Sequence, residues 1–138
     1  TFPELPVGWR DPALGARWAR VREIRRVITG ALELERREKR IGASLQACPT
    51  VHLGAEDRAL VRGLDLAELA ITSGIALADG PAPAGAFTLE EVPGVAVLPG
   101  LAEGEKCQRC WQVLAEVVAS PEHLCRRCTD AVAIVRAA

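Results

Sequence analysis

Glu105-Lys106-Cys107-Gln108-Arg109-Cys110-Trp111, followed by Cys125-Arg126-Arg127-Cys128, decides how the last part of this chain folds. Each run carries a C-x2-C pair, and the 14 residues 111–124 separate the pairs. A C-x2-C turn lets two sulfurs converge on one ion, and two such knuckles supply the four tetrahedral ligands that zinc prefers. The gap falls just under the range of about 15–20 residues usual for such ribbons. Cys107, Cys110, Cys125 and Cys128 are therefore the expected ligands of one structural Zn2+. Every position is sulfur, which leaves no open place for an activated water, so the site is expected to be structural and not catalytic. A zinc tetrathiolate carries about −2 overall, and Lys106, Arg109, Arg126 and Arg127 lie close enough in sequence to offset it. Residues 103–138 cannot bury much core, so the metal should supply much of this lobe's folding free energy. Two disulfides would imply a secreted protein, which nothing else in the sequence supports; iron in the same tetrathiolate is chemically allowed. Cys48, the fifth cysteine, has no partner in sequence and reads as a small apolar residue. His52 reads as ordinary packing or surface, and His123 at best as a neighbour of the metal ligands.

Upstream of the cysteines the pattern is mixed. Asp11 can cap a helix, and Pro12 suits its first position. Leu14, Trp18, Val21, Ile24, Ile28, Ala31 and Leu32 recur at three- and four-residue steps, one apolar stripe on a long helix. Arg17, Arg20, Arg22, Arg25 and Arg26 are expected on the other face, and Gly42 is expected to stop the helix. Residues 41–53 turn strand-like, with Ser44-Leu45-Gln46-Ala47 and Thr50-Val51-His52-Leu53. Pro49 between them implies a bulge or an edge. Residues 56–64 read as a short helix, 68–78 as a strand from the alternation of Leu69, Ile71, Ser73, Ile75 and Leu77, and 92–98 as a further strand. The expected architecture is α+β: a long N-terminal helix, a small α/β junction module with a short sheet, and a C-terminal four-cysteine zinc ribbon or knuckle lobe. The divisions expected are 1–48, 49–102 and 103–138.

The 138 residues carry a net charge of −1, no methionine and 49% hydrophobic residues, ordinary for a globular chain. No apolar run reaches the ~18–20 residues of a membrane span, so no membrane partner is expected. Thr1 is no natural translation start, and the sequence reads as a piece of a longer protein. The near-zero charge hides a segregated one. Residues 1–48 hold 10 basic and 6 acidic residues, 49–102 hold 2 and 7, and 103–138 hold 5 and 5. Such asymmetry hints at an electrostatic binding face.

Arg109 and Trp111 flank Cys110 in a way that suits nucleic acid, the guanidinium pairing with phosphate and the indole stacking on a base or sugar. Trp111 can equally be the core of a very small zinc lobe, and the residues alone leave both readings open. The sequence at this point resembles the C-terminal region of bacterial isoleucyl-tRNA synthetase. The resemblance is carried by Phe2-Pro3-Glu4, Trp9, Arg17-Trp18, Ala31-Leu32-Glu33, Lys39-Arg40-Ile41-Gly42-Ala43-Ser44-Leu45-Gln46-Ala47 and the two knuckles. Residues 54–92 are poorly diagnostic. The stretch Ile41–Ala47 departs from the family's Ile-Gly-Ser-Ser-Leu-Glu-Ala at Ala43 and Gln46.

The resemblance implies the end of a helical anticodon-binding domain, a junction module and a zinc finger, together gripping the anticodon arm of isoleucine tRNA in the cytoplasm. It places tRNA contacts on Arg109 and Trp111. Arg36, Arg37, Lys39 and Arg40 are further candidates by charge. The family's His-Ile-Gly-His and Lys-Met-Ser-Lys-Ser signatures are absent here. ATP and the joining of isoleucine to tRNA therefore belong to a catalytic domain outside this chain, which by itself is expected to be non-catalytic and monomeric. Two other readings compete: a stand-alone zinc-ribbon interaction module, and the zinc finger of a formamidopyrimidine-type DNA glycosylase. Pro3-Glu4 is not terminal as that enzyme's chemistry requires, and the preceding module does not match.

Overall fold

The computed structural model describes residues 3–137. Phe2 of the Phe2-Pro3-Glu4 element, Thr1 and Ala138 lie outside the described residues.

Helix α1 spans Pro12–Arg37. Asp11 caps it as expected, its carboxylate accepting the Leu14 N–H at 2.9 Å. The apolar stripe buries Val21, Ile24, Val27, Ile28, Ala31 and Leu32, whereas Leu14 is exposed and Trp18 only half-buried. The stripe begins to bury only from Val21 onward, where α1 meets the sheet. The helix ends five residues before Gly42. Lys39 adopts a left-handed φ of +58°, the Lys39 N–H donates to the Arg36 carbonyl at 3.1 Å, and the Arg40 N–H donates to the Glu35 carbonyl at 2.9 Å. This is a Schellman cap with lysine where glycine is usual. The Arg40 guanidinium closes it by donating to both Glu35 oxygens at 2.6 and 2.7 Å.

Three of the five arginines expected on the outer face do not stay there. Arg20 forks onto the Asp57 carboxylate at 2.8 and 2.7 Å and also donates to the Pro93 carbonyl. Arg17 reaches the carbonyls of Leu60 and Arg62, and Arg25 that of Leu69. They tether α1 to the module beneath it. The paired Asp57 is buried, and the charge it carries is met by the fork it accepts. The same contacts hold the Arg20 guanidinium well above its ordinary pKa, chiefly through the hydrogen bond to Asp57.

The sheet orders its strands β2-β1-β3. Strand β1 (Thr50–Leu53) is central, β2 (Ala76–Ala78) runs parallel to it and β3 (Val95–Leu98) antiparallel. Val51 faces Leu77 on one side and Val97 on the other. Ile24, Val27, Ile28 and Ala31 of α1 close over Val51, Leu53, Val95 and Val97 in one core. Pro49 stands immediately before the central strand, where its missing N–H costs no ladder bond, and its carbonyl accepts the Ala76 N–H at 3.0 Å.

Helices α2 (Ala55–Leu60) and α3 (Leu66–Ala70) form the crossover between β1 and β2. The strand expected over 68–78 is thus mostly helix and turn. Asp65 caps α3 through the Glu68 N–H at 3.0 Å, and Leu66 and Ala70, one turn apart, are buried. Ile71 leaves the helix at a φ of +58°, and only residues 76–78 reach the ladder. Residues 44–46 are likewise a 3-10 turn, not a strand. Gln46 shapes it, its Oε1 accepting the N–H groups of Gly42 and Ala43 at 2.6 and 3.2 Å. A glutamate could accept the same two bonds, so the departure at Gln46 keeps the local geometry.

The last lobe holds β4 (Glu105–Lys106) paired antiparallel with β5 (Val113–Leu114), then α4 (Ala115–Val118) and α5 (Arg126–Ala137). The α+β expectation holds, with the long helix, small sheets and a cysteine cluster in the order read from the sequence. Among the described residues no helix is long and apolar enough to cross a membrane.

Candidate metal centre

The first knuckle hangs from the β4–β5 hairpin. The Cys107 N–H donates to the Gln112 carbonyl at 2.8 Å, and the Trp111 N–H to the Cys107 carbonyl at 2.9 Å. Gly104 opens the hairpin at a φ of +117°, and a Cβ there would lie 2.3 Å from the Leu114 carbonyl; only glycine fits. The second knuckle opens α5, with the N–H groups of Cys128 and Thr129 both donating to the Cys125 carbonyl at 2.9 Å. The two knuckles are joined by the Gln108 N–H to the His123 carbonyl at 2.9 Å and by the Cys125 N–H to the Cys107 Sγ at 3.4 Å.

These bonds bring all four sulfurs within 4.8 Å of one another. Cys110 Sγ and Cys125 Sγ are 3.7 Å apart. Four sulfurs about 2.3 Å from a central zinc would stand about 3.8 Å apart, so the cluster has the dimensions of a zinc tetrathiolate. None of the four is in a disulfide. Cys107, Cys125 and Cys128 are buried and Cys110 half-buried. Burial works against ionising Cys107, but N–H donors from Cys110, Cys125 and Arg109 outweigh it and hold the thiol down to about 6. For Cys125 burial prevails and pushes the thiol up to about 12. A metal that converts all four to thiolates must displace that proton.

Charge around the cluster is compensated by two arginines. Arg109 Nη1 lies 3.7 Å from Cys128 Sγ, and the Arg127 guanidinium is raised above its ordinary pKa chiefly by the neighbouring Cys110 sulfur. Lys106 faces elsewhere, its Nζ 5.3 Å from the centre of the Trp111 ring. Of the two readings left open by the residues, packing in the lobe's core does not hold: Trp111 is 60% exposed. That core is Val117 with the cysteines, flanked by Leu114 and Leu124. Trp111 also holds a φ of +69°, a conformation a bulky side chain rarely adopts. His123 pairs with Glu105 at 3.2 Å, outside the sulfur cluster.

Of the basic group at the end of α1, Arg40 is engaged with Glu35, and Arg36 with Glu33 and the Ser44 hydroxyl. Arg37 and Lys39 are exposed and have no partner among the described residues. The two clusters lie on segments that meet at Ser73, a residue that sequence periodicity placed in a strand.

Residues 104–131 match the zinc finger found in FPG and IleRS. That match alone does not separate a synthetase from a glycosylase; the relatives similar to the chain over most of its length are isoleucine–tRNA ligases. The chain is 53% identical over 124 residues, 88% of this chain, to the isoleucine–tRNA ligase of Brucella abortus (strain 9-941). It is 46% identical over 134 residues to that of Agrobacterium fabrum and 50% identical over 135 residues to that of Caulobacter vibrioides, each 96% of this chain. By sequence, the chain matches the C-terminal region of isoleucine–tRNA ligases. It spans only 13–14% of the length of these relatives. The finger's family and the four converging sulfurs together fit one structural zinc ion.

Proposed function

We propose that this chain is the tRNA-binding C-terminal part of an isoleucine–tRNA ligase. It grips the anticodon arm of isoleucine tRNA while a catalytic domain outside these residues attaches isoleucine with ATP. In this role it is monomeric, cytoplasmic and itself non-catalytic. Residues 1–48 end the helical anticodon-binding domain, 49–102 form the junction module and 103–138 the zinc lobe. Arg109 and Trp111 contact the RNA from the first knuckle. Arg37 and Lys39, with Arg36 and Arg40 behind them, supply phosphate-facing charge from the end of α1.

Trp111 carries this reading. A left-handed non-glycine residue costs on the order of 1–3 kcal/mol, and the lobe recovers little of it by burying a ring that is 60% exposed. An indole held out in solvent, backed by the Lys106 ammonium, is a stacking surface for a base or sugar. Lys106 and Arg109 bring positive charge to this knuckle, despite the chain's net −1. The test is kinetic. In the full-length ligase, Trp111→Ala or Arg109→Ala is expected to weaken charging of isoleucine tRNA while leaving isoleucine-dependent pyrophosphate exchange intact. Unchanged tRNA kinetics in both variants would contradict the assignment.

A further inference from the structure

Three segments meet at Ser73. Its backbone N–H donates to the Ala47 carbonyl at 3.1 Å. Its hydroxyl donates to the Leu45 carbonyl at 2.5 Å and accepts the Val113 N–H at 2.7 Å. The directions are forced, because a carbonyl can only accept and an amide N–H can only donate. The hydroxyl therefore completes a relay from Val113 N–H through Ser73 Oγ–H to the Leu45 carbonyl, in which each bond polarises the next.

The ends of that relay matter. Leu45 lies in the 3-10 turn that follows the basic end of α1. Val113 opens β5, two residues beyond Trp111. Among the described residues this is the only side-chain hydrogen bond joining residues 103–137 to those before them. The linker lies against the same turn through backbone bonds alone, Ala102 N–H to the Gln46 carbonyl and Cys48 N–H to the Gly100 carbonyl, each at 2.8 Å. Ser73 has little room to shift, since a Cβ on the next residue, Gly74, would already stand 2.9 Å from Cys48 Sγ.

We infer that Ser73 is a positioning residue: its hydroxyl fixes the cysteine lobe against the turn after α1, and so sets the spacing between Trp111 and the Arg37/Lys39 pair. The inference rests on both groups meeting one tRNA. A single neutral hydrogen bond of this kind corresponds to roughly a two- to tenfold effect.

The test compares Ser73→Ala, which removes donor and acceptor, with Ser73→Thr, which keeps both. In the zinc-loaded chain, Ser73→Ala is expected to speed hydrogen exchange at the Val113 amide by about two- to tenfold. The Cys107 amide and the content of one zinc per chain should not change. In the full-length ligase Ser73→Ala should raise the KM for tRNA by a similar factor, leave amino-acid activation unchanged, and be rescued by Ser73→Thr. Unchanged Val113 exchange would overturn the inference. So would an unchanged tRNA KM in Ser73→Ala when Trp111→Ala raises it, an outcome that leaves the tRNA contact itself standing. If the tRNA KM ignores Trp111→Ala as well, Trp111 does not contact the RNA, and the spacing role fails with it.

Discussion

Replacing Trp111 by alanine and by glycine separates what its backbone costs from what its ring does. Both substitutions remove the indole, its partial burial and the Lys106 cation–π contact at 5.3 Å. Those losses cancel in the comparison. The remaining difference is the φ of +69°, which alanine must hold with a Cβ and glycine without one. At such a position glycine is favoured by about 1 kcal/mol, the reverse of the usual order. Folding of the lobe and zinc binding are coupled, so this difference is readable as zinc affinity. The Trp111→Gly chain should hold zinc about fivefold more tightly than Trp111→Ala in competition with a chromophoric chelator. Both should lose tRNA affinity to the same extent. Equal zinc affinity in the two variants would show that the knuckle does not hold residue 111 left-handed. Retained tRNA binding in either would show that the indole is not what this conformation presents.

Zinc removal should unfold one lobe and spare the other core. Beyond its cysteines the lobe buries, among the described residues, only Val117, about 1.5–3 kcal/mol, against the roughly 10–16 kcal/mol a structural zinc contributes in small fingers. Chelation should therefore abolish amide protection at Cys107, Trp111 and Cys128 while the amides of Val51 and Val97 keep theirs; joint loss of both sets would contradict this. Lys39→Gly should raise thermal stability, by about 1 kcal/mol, because glycine suits the left-handed cap, yet weaken tRNA binding. A variant that gains stability and binds tRNA as before would remove Lys39 from the contact surface. Glu35→Gln probes the cap by pH. The Arg40 guanidinium holds the Glu35 carboxylate below its ordinary pKa, chiefly by hydrogen bonding. Its contribution is thus present above the ordinary carboxylate range of about pH 4 and lost as pH falls through the lowered value. The melting-temperature gap between wild type and Glu35→Gln should be open at pH 7 and narrow as pH falls below the ordinary carboxylate range, and a gap independent of pH would refute the pairing.

The cysteine lobe was legible because its ligands are near neighbours in sequence, and the metal geometry follows from C-x2-C spacing alone. The long helix was legible because Asp11, Pro12 and a stripe of period 3.6 agree with one another. The strand read over 68–78 failed where two signals conflicted. Alternation at Leu69, Ile71, Ser73, Ile75 and Leu77 suggested a strand, but Asp65 with Glu68 three residues later marks a helix start, and that local cap prevailed. The stop at Gly42 failed because a lysine supplied the left-handed residue, supported by the Glu35–Arg40 pair. The tethering of Arg17, Arg20 and Arg25 is invisible in the sequence because their partners in the module lie 37 to 73 residues away, beyond the reach of any local pattern. The role of Ser73 was hidden for the same reason, its hydroxyl spanning 28 residues to Leu45 and 40 to Val113. Exposure of Trp111 needed the fold, since a tryptophan beside a metal knuckle packs inward or points outward according to the φ of one residue.

Equilibrium binding of isoleucine tRNA to the zinc-loaded chain, measured across salt concentrations for wild type and Trp111→Ala, tests the tRNA-contacting role most directly. Phosphate contacts predict that the logarithm of the affinity falls linearly with the logarithm of salt, by about 0.7–0.9 per contact. The Trp111→Ala line should lie below the wild-type line with the same slope, because the lost contact is stacking and carries no charge. Coincident lines, or affinity indifferent to salt, would contradict the account.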